Sequence, residues 1–261
     1  MRYIIYICLL FTMTITSQES VIDAKLISST DLKVDQVVDL DNFETFYFIR
    51  DNTIYKQNKD GTSINYSNYQ LGEITTANTF NPLKINLFYQ DFNMVIILDN
   101  RLAEIFKIDF NTIQPYKNVS HVSTGFDNTL WVFNVDFQKL ELYDYKANKT
   151  RFSAVPVQSL VLDLESDYNF CWLLTEKFLY QYNYFGSMIS KIENTGFTEI
   201  SKSNGHLILK KEDSLYFKHK KKEDLTPIKL PKLLINQFLL TNETLYIYDL
   251  EKLHKYQLKI N

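Results

Sequence analysis

Glycine, proline, tryptophan and cysteine are scarce in this chain of 261 residues, at 6, 5, 2 and 2 copies. Each scarcity excludes something. Gly61, Gly72, Gly125, Gly186, Gly196 and Gly205 are dispersed and form neither a dinucleotide-binding nor a phosphate-loop pattern. The one Gly-Ser pair, Gly186 and Ser187, lacks the second glycine of a hydrolase nucleophile elbow. His121, His206, His219 and His254 are scattered and make no zinc-binding motif. No stretch rich in Pro, Gly or Ser cuts the chain, and no sustained helical periodicity runs through it, so a doubly wound α/β enzyme is disfavoured. A formal net charge of -3, with an isoelectric point near 5.9, lacks the basic excess of a nucleic-acid-binding surface. The basic run Lys218–Lys222 is followed at once by Glu223 and Asp224, as in a solvated turn between strands.

What is abundant is aromatic: 18 Tyr and 19 Phe, in a chain that is 45% hydrophobic and 23% charged. Such side chains cover pleated, half-buried surfaces well, and the expectation is an all-β protein. The first residues read differently. Arg2 precedes the apolar run Ile4–Phe11, and small and polar residues lead to Ser17. That order is a secretory signal peptide over residues 1–17, leaving one domain over 18–261; the competing reading is an uncleaved anchor. The run is short for a membrane span, which takes about 20 residues, and no later segment is apolar enough. Cys171 would then be the single cysteine of the mature chain. That precludes an internal disulfide, and its neighbours Phe170 and Trp172 make it a buried small hydrophobe.

A weak theme recurs: a turn with Asp or Asn, an alternating aromatic strand, a short turn, another strand. Six copies are countable. They run over 41–56, 91–106, 127–143, 167–187, 204–217 and 242–256. Tyr47, Val95, Trp131, Trp172, Ile208 and Tyr246 are taken as matching positions, and their spacing of roughly 40 residues suits a four-stranded propeller blade. Weaker apolar stretches such as Val119–Val122 and Leu160–Leu164 supply further strands. Ala24–Ile27 and Val34–Leu40 offer strands that could pair with the C-terminal one and seal a ring. The expected fold is a six-bladed β-propeller; a β-sandwich pair and an open β-solenoid are the alternatives.

On these repeats, on the signal ending at Ser17 and Gln18, and on Asn81–Tyr89 leading into Asp99–Leu102, the chain resembles the secreted six-bladed β-propeller proteins common in Bacteroidetes. The resemblance implies an exported protein of the periplasm or cell envelope. It transfers no catalytic residue. Asn81, Lys84, Tyr89, Asp99, Asn100 and Arg101 are the candidate binding residues, because their segment departs from the repeat and gathers polar groups, aromatics and two cations. The expected function is a non-enzymatic binding or scaffold protein. Its partner would be an envelope protein, a peptide or a glycan, and it would be a monomer with no cofactor, nucleic acid or metal. The alternative is a metal-dependent, lactonase-like hydrolase with Asp91, Asp99, Asp127 and Asp167 around a central channel.

Overall fold

The computed structural model describes residues 21–222 and 224–260. The expected signal peptide, residues 1–17, lies outside them. Twenty-four strands account for the architecture among the described residues. β1 (Ile22–Asp31) stands alone at the start. Four antiparallel sheets of four strands then follow in chain order. The first holds β2 (Gln36–Leu40), β3 (Phe46–Arg50), β4 (Thr53–Gln57) and β5 (Ser63–Tyr66). The second holds β6 (Thr76–Asn78), β7 (Ile85–Tyr89), β8 (Met94–Leu98) and β9 (Glu104–Asp109). The third holds β10 (Val119–Thr124), β11 (Thr129–Asn134), β12 (Lys139–Asp144) and β13 (Lys149–Ser153). The fourth holds β14 (Val161–Ser166), β15 (Phe170–Thr175), β16 (Phe178–Asn183) and β17 (Met188–Glu193).

The remaining strands are β18 (Glu199–Ser203), β19 (His206–Lys211), β20 (Ser214–Lys218), β21 (Leu225–Lys229), β22 (Gln237–Thr241), β23 (Thr244–Tyr248) and β24 (Lys252–Leu258). With β1 they form one eight-stranded sheet, in the order β18-β19-β20-β21-β1-β24-β23-β22. The fold is a β-propeller, as expected, but the six separate repeat units read from the sequence become four separate four-stranded blades and one eight-stranded sheet. The cause is β1. Its first residues pair parallel with β21, Ile22 against Ile228 and Asp23 against Lys229, before it turns to run antiparallel to β24 from Ala24 to Asp31. The pairing of the first and last strands closes the ring, which removes the long free edges that would otherwise template association.

The core lies between successive sheets. Tyr47, Ile49 and Ile54 of the first pack on Leu87, Tyr89 and Ile96 of the second. Trp131, Phe133 and Leu142 of the third pack on Cys171, Leu173 and Tyr180 of the fourth. Phe48 meets Tyr248 across the first sheet and the eight-stranded one. Within the eight-stranded sheet, Ile208, Leu215 and Phe217 face Phe238, Leu245 and Ile247. Middle strands are covered on both faces, which is why β7, β8 and β11 are buried at every residue. Outer strands such as β13 are exposed and polar, so they carry little hydrophobic signal.

The Asp and Asn residues of the turns serve as the sequence suggested. Asn52, Asn93, Asp127, Asn204 and Asn242 all have φ between 50° and 58°, a region these short polar side chains tolerate. One detail of the repeat changes. The second copy of the repeat falls one strand late, on β8 and β9, whereas the others fall on the second and third strands of their groups. Leu87 of β7, not Val95, therefore corresponds to Tyr47 and Trp131, each opposite a residue of its first strand: Ala77, Asp39 and Ser123.

Candidate functional site

The first strand of each group lines the axis. β2, β6, β10, β14, β18 and β22 touch one another in cyclic order. These neighbours belong to different hydrogen-bonding ladders, so side chains satisfy part of the polar backbone between them. Asp163 accepts the Ile200 amide at 2.8 Å, and Ser201 Oγ accepts the Leu240 amide at 3.0 Å. Gln237 Oε1 accepts the Val37 amide at 2.7 Å. Thr79 donates to Asp39 at 2.7 Å, Thr124 to Asn78 at 2.7 Å, and Ser166 to Ser123 at 2.7 Å. This polar ring makes the channel wall hydrophilic, and an inward charged side chain there needs no place in an apolar core.

Four charged groups occupy that wall: Asp39 of β2, Asp163 and Glu165 of β14, and Lys202 of β18. Burial pushes the carboxyls of Asp39, Asp163 and Glu165 upward, the last to about 8 against the opposing pull of Lys202. Burial pulls the Lys202 ammonium downward, while the charges of Glu165, Asp39 and Asp167 push it back. Its Nζ sits 3.7 Å from the centroid of the Phe80 ring. A small cavity of about 70 Å³ lies beside Asp39, Glu165 and Lys202. It is succeeded toward one face by a mouth of about 250 Å³ bordered by Asp39, Asp41, Phe43, Phe80, Asp167 and Lys202.

That face carries the turns between first and second strands. Asn204 donates to Asn242 at 2.8 Å and Asn242 to Asn42 at 2.7 Å, which links three of these turns in a row. Phe80 and Tyr168, from two others, meet edge to face at 4.8 Å. Aromatics recur here: Phe43 is 83% exposed, Phe126 50% and Tyr168 39%. Beyond the mouth opens a cleft of about 1210 Å³ over the β14–β15, β18–β19, β20–β21 and β22–β23 turns. Its walls combine Phe80, Tyr168 and Phe170 with the amides of Asn169, Gln181 and Asn242, and with His206, His219, Lys220 and Lys221. The two imidazoles stand 4.6 Å apart, although twelve residues lie between them in sequence. The antiparallel register of β19 and β20 puts Leu207 opposite Lys218 and so brings the flanking histidines together.

Five of the six sequence-predicted residues share this turn face, on the second blade. Asn81 and Lys84 belong to the β6–β7 turn and Asp99, Asn100 and Arg101 to the β8–β9 turn. Their roles are local. Asn81 Oδ1 accepts the Leu83 amide, and Asp99 Oδ1 accepts those of Arg101 and Ala103. Lys84 Nζ donates to the Asp127 carbonyl and Asn128 Oδ1 at 2.8 and 2.9 Å, clamping the neighbouring blade. The Asn100 carbonyl accepts from Lys56 at 2.8 Å, and Arg101 pairs with Asp99 at 3.5 Å. Tyr89 stands apart from them. It is buried at the other end of β7, and its phenol is pushed up to about 12 by burial and by the Glu104 charge. The segment 81–89 is thus the ordinary inner hairpin of a blade, and none of these six residues borders the cleft or the mouth cavity.

Of the four aspartates considered for a channel metal, Asp167 borders the mouth and Asp91 lies on the β7–β8 turn at the opposite face. Among the described residues no group of three or more His, Cys, Asp or Glu is placed to hold a metal ion. Cys171 is fully buried, and burial drives its thiol well upward. The basic run is a turn, as expected, but Lys220 and Lys221 reach the cleft. Lys202, Glu165 and Asp39 escaped the sequence reading. The signal that could have found Asp39 and Glu165 is a charge inside a short first strand where the matching positions of other groups carry Ala77, Ser123 and Ser201.

No protein-family model matches the chain, and no curated protein matches it. Solved structures do. Virginiamycin B lyase from Staphylococcus aureus is similar at a TM-score of 0.61 with 12% identity, over 87% of this chain and 82% of that one. The Swd1 β-propeller domain of Myceliophteria thermophila is similar at 0.65 with 8% identity, over 90% and 100%. The Neurospora crassa Pan2 WD40 domain is similar at 0.59 with 8% identity, over 89% and 75%. Likeness at such identities shows the fold alone.

Proposed function

We propose that this protein is an exported, non-enzymatic β-propeller of the cell envelope that binds a peptide or glycan, free or carried on another protein, in the cleft on its turn face. The observation that carries the reading is the cleft itself. At about 1210 Å³ it is larger than a single small metabolite needs, and it sets the exposed Tyr168 ring and the half-buried Phe80 and Phe170 rings beside amides and cations. Aromatic surfaces with nearby amides suit extended polar ligands, because rings stack on apolar portions while amides read hydroxyls or peptide groups. A WD40 fold among the similar structures is in keeping with a binding role.

The ring is read as six-bladed, the eight-stranded sheet being two blades stitched together by the two-residue parallel contact of β1 with β21. The cyclic order of the six inner strands supports this. Export is read from residues 1–17 and kinship with the secreted propellers of Bacteroidetes from the repeats. Fractionation of a Gram-negative host followed by N-terminal sequencing of the product tests export: the expected product is periplasmic or envelope-bound and begins at Gln18. A cytoplasmic product that keeps Met1 overturns it.

Glycan and peptide arrays test the binding reading. The wild-type protein should give discrete hits, and Tyr168→Ala combined with Asn169→Ala, two exposed side chains of the cleft, should abolish them without changing the thermal midpoint by more than a few degrees. Hits that survive both substitutions place the ligand elsewhere and overturn the assignment of the cleft.

A further inference from the structure

A second, smaller site lies beside the cleft, at the mouth of the central channel. Lys202 is unlike the other enclosed lysine. Lys117 is buried against Glu141 in a direct ion pair, whereas Lys202 makes no hydrogen bond or ion pair to a described residue: its Nζ rests on the Phe80 ring, and the charges of Glu165, Asp39 and Asp167 act on it without direct contact. An enclosed ammonium left without an acceptor costs several kcal/mol of lost hydration in a low-dielectric setting. Lys202 borders the mouth cavity of about 250 Å³, so an acceptor brought into that cavity is within its reach.

The same cavity offers the opposite charge. Asp39, Asp41 and Asp167 each border it, and each commits one carboxylate oxygen to the protein. Asp39 Oδ2 accepts from Thr79, Asp41 Oδ1 from the Phe43 and Thr45 amides, and Asp167 Oδ1 from the Asn169 and Phe170 amides. These bonds orient the carboxylates, Asp39 also taking the Leu40 amide, and the second oxygens of Asp41 and Asp167 accept no described donor. A fixed cation and oriented anions across one small cavity complement a ligand that carries both charges. The volume is below that of a drug-sized pocket, and Phe43 and Phe80 supply apolar walls.

We propose that this cavity binds a free α-amino acid, its carboxylate received by Lys202 Nζ and its ammonium by the uncommitted oxygens of Asp41 and Asp167. This site adjoins the cleft and shares Phe80, Asp167, Asn204 and Asn242 with it, but it does not depend on the peptide- or glycan-binding reading. A ligand with only one of the charges leaves the other half of the site unpaired, so both charges are required for tight binding.

Titration calorimetry on the full chain at pH 7, with glycine, alanine, leucine and phenylalanine as probes, tests the proposal. At least one amino acid should bind saturably, and acetate and methylammonium should each bind at least about tenfold more weakly. Lys202→Met should abolish the heat. Asp167→Asn, at the accessible rim, keeps the test decisive should Lys202→Met fail to fold, and should weaken binding about tenfold. Lys220→Ala with Lys221→Ala, which alters only the cleft, should leave amino-acid binding unchanged. The proposal is overturned if no amino acid binds at about 10 mM, if acetate or methylammonium binds as tightly as the amino acid, or if Lys202→Met or Asp167→Asn binds like the wild type.

Discussion

Single residues carry the electrostatics of the channel. Glu165 has a carboxyl whose ordinary value of 4.5 is raised to about 8, chiefly by burial, with Lys202 opposing the shift. Between those two values the unfolded chain has released a proton that the folded chain keeps. Stability therefore falls as pH rises through that interval and levels off above it. Glu165→Gln removes this slope: urea denaturation from pH 4 to 9 should show the variant gaining on the wild type progressively as pH rises. A wild-type curve parallel to that of Glu165→Gln would refute the burial argument. The sequence showed such residues only as identities. Asp39 and Glu165 looked like ordinary alternating polar positions of a half-exposed strand, because nothing local says that the polar face of a first strand turns onto an axis shared with other strands. Asn81, Lys84 and Arg101 stood out for composition, yet their groups are consumed by turns and by a clamp to the next blade.

Elements were more legible than sites. Middle strands are apolar because both their faces are covered, so Trp131 and Trp172 are legible in the sequence as matching positions of the repeat. Trp131 is 1% exposed and packs at the interface of the third and fourth blades, near Phe152 and Tyr182. Trp131→Ala should cost about 3–5 kcal/mol, read from the denaturation midpoint at constant slope. A loss below about 1 kcal/mol would mean that the interface collapses to refill the space. Close packing at the same interface also explains a turn: a Cβ at Gly186, where φ is +93°, would stand 2.2 Å from the Phe152 ring. Outer strands were hard to see. β13 reads Lys-Thr-Arg-Phe-Ser and β5 Ser-Ile-Asn-Tyr, since an edge that meets solvent selects polar residues as readily as a loop does. The late count in the second blade has a related cause. β6 is three residues long, and its blade offers two equally apolar middle strands from which to start counting.

At the scale of the molecule, closure is the decisive event. β1 is held on one side by seven paired positions with β24 and on the other by two with β21. Ser29 and His254 join the same pair of strands at 2.7 Å. Deletion of residues 1–33 should leave β24 and β21 with open edges and no partner across the seam. The expected outcome is loss of the single sharp thermal transition and a shift to larger species on size-exclusion chromatography, where the intact protein should elute as a monomer. A truncated protein that melts cooperatively as a monomer would show that the seam is dispensable.

The sequence by itself determined the class and the repeating unit of this protein. Aromatic and β-branched residues in short alternating runs, punctuated by Asp and Asn turns, have no stable solution other than strands stacked face to face, and strand periodicity is a local property of the chain. Tertiary structure decided the rest. The joining of two strand groups into one eight-stranded sheet depends on two pairings between residues some two hundred positions apart. The channel charges and the cleft depend on the order in which strands surround an axis. Charge, burial and distance at such places are sums over several blades, and no single segment of the chain records that sum.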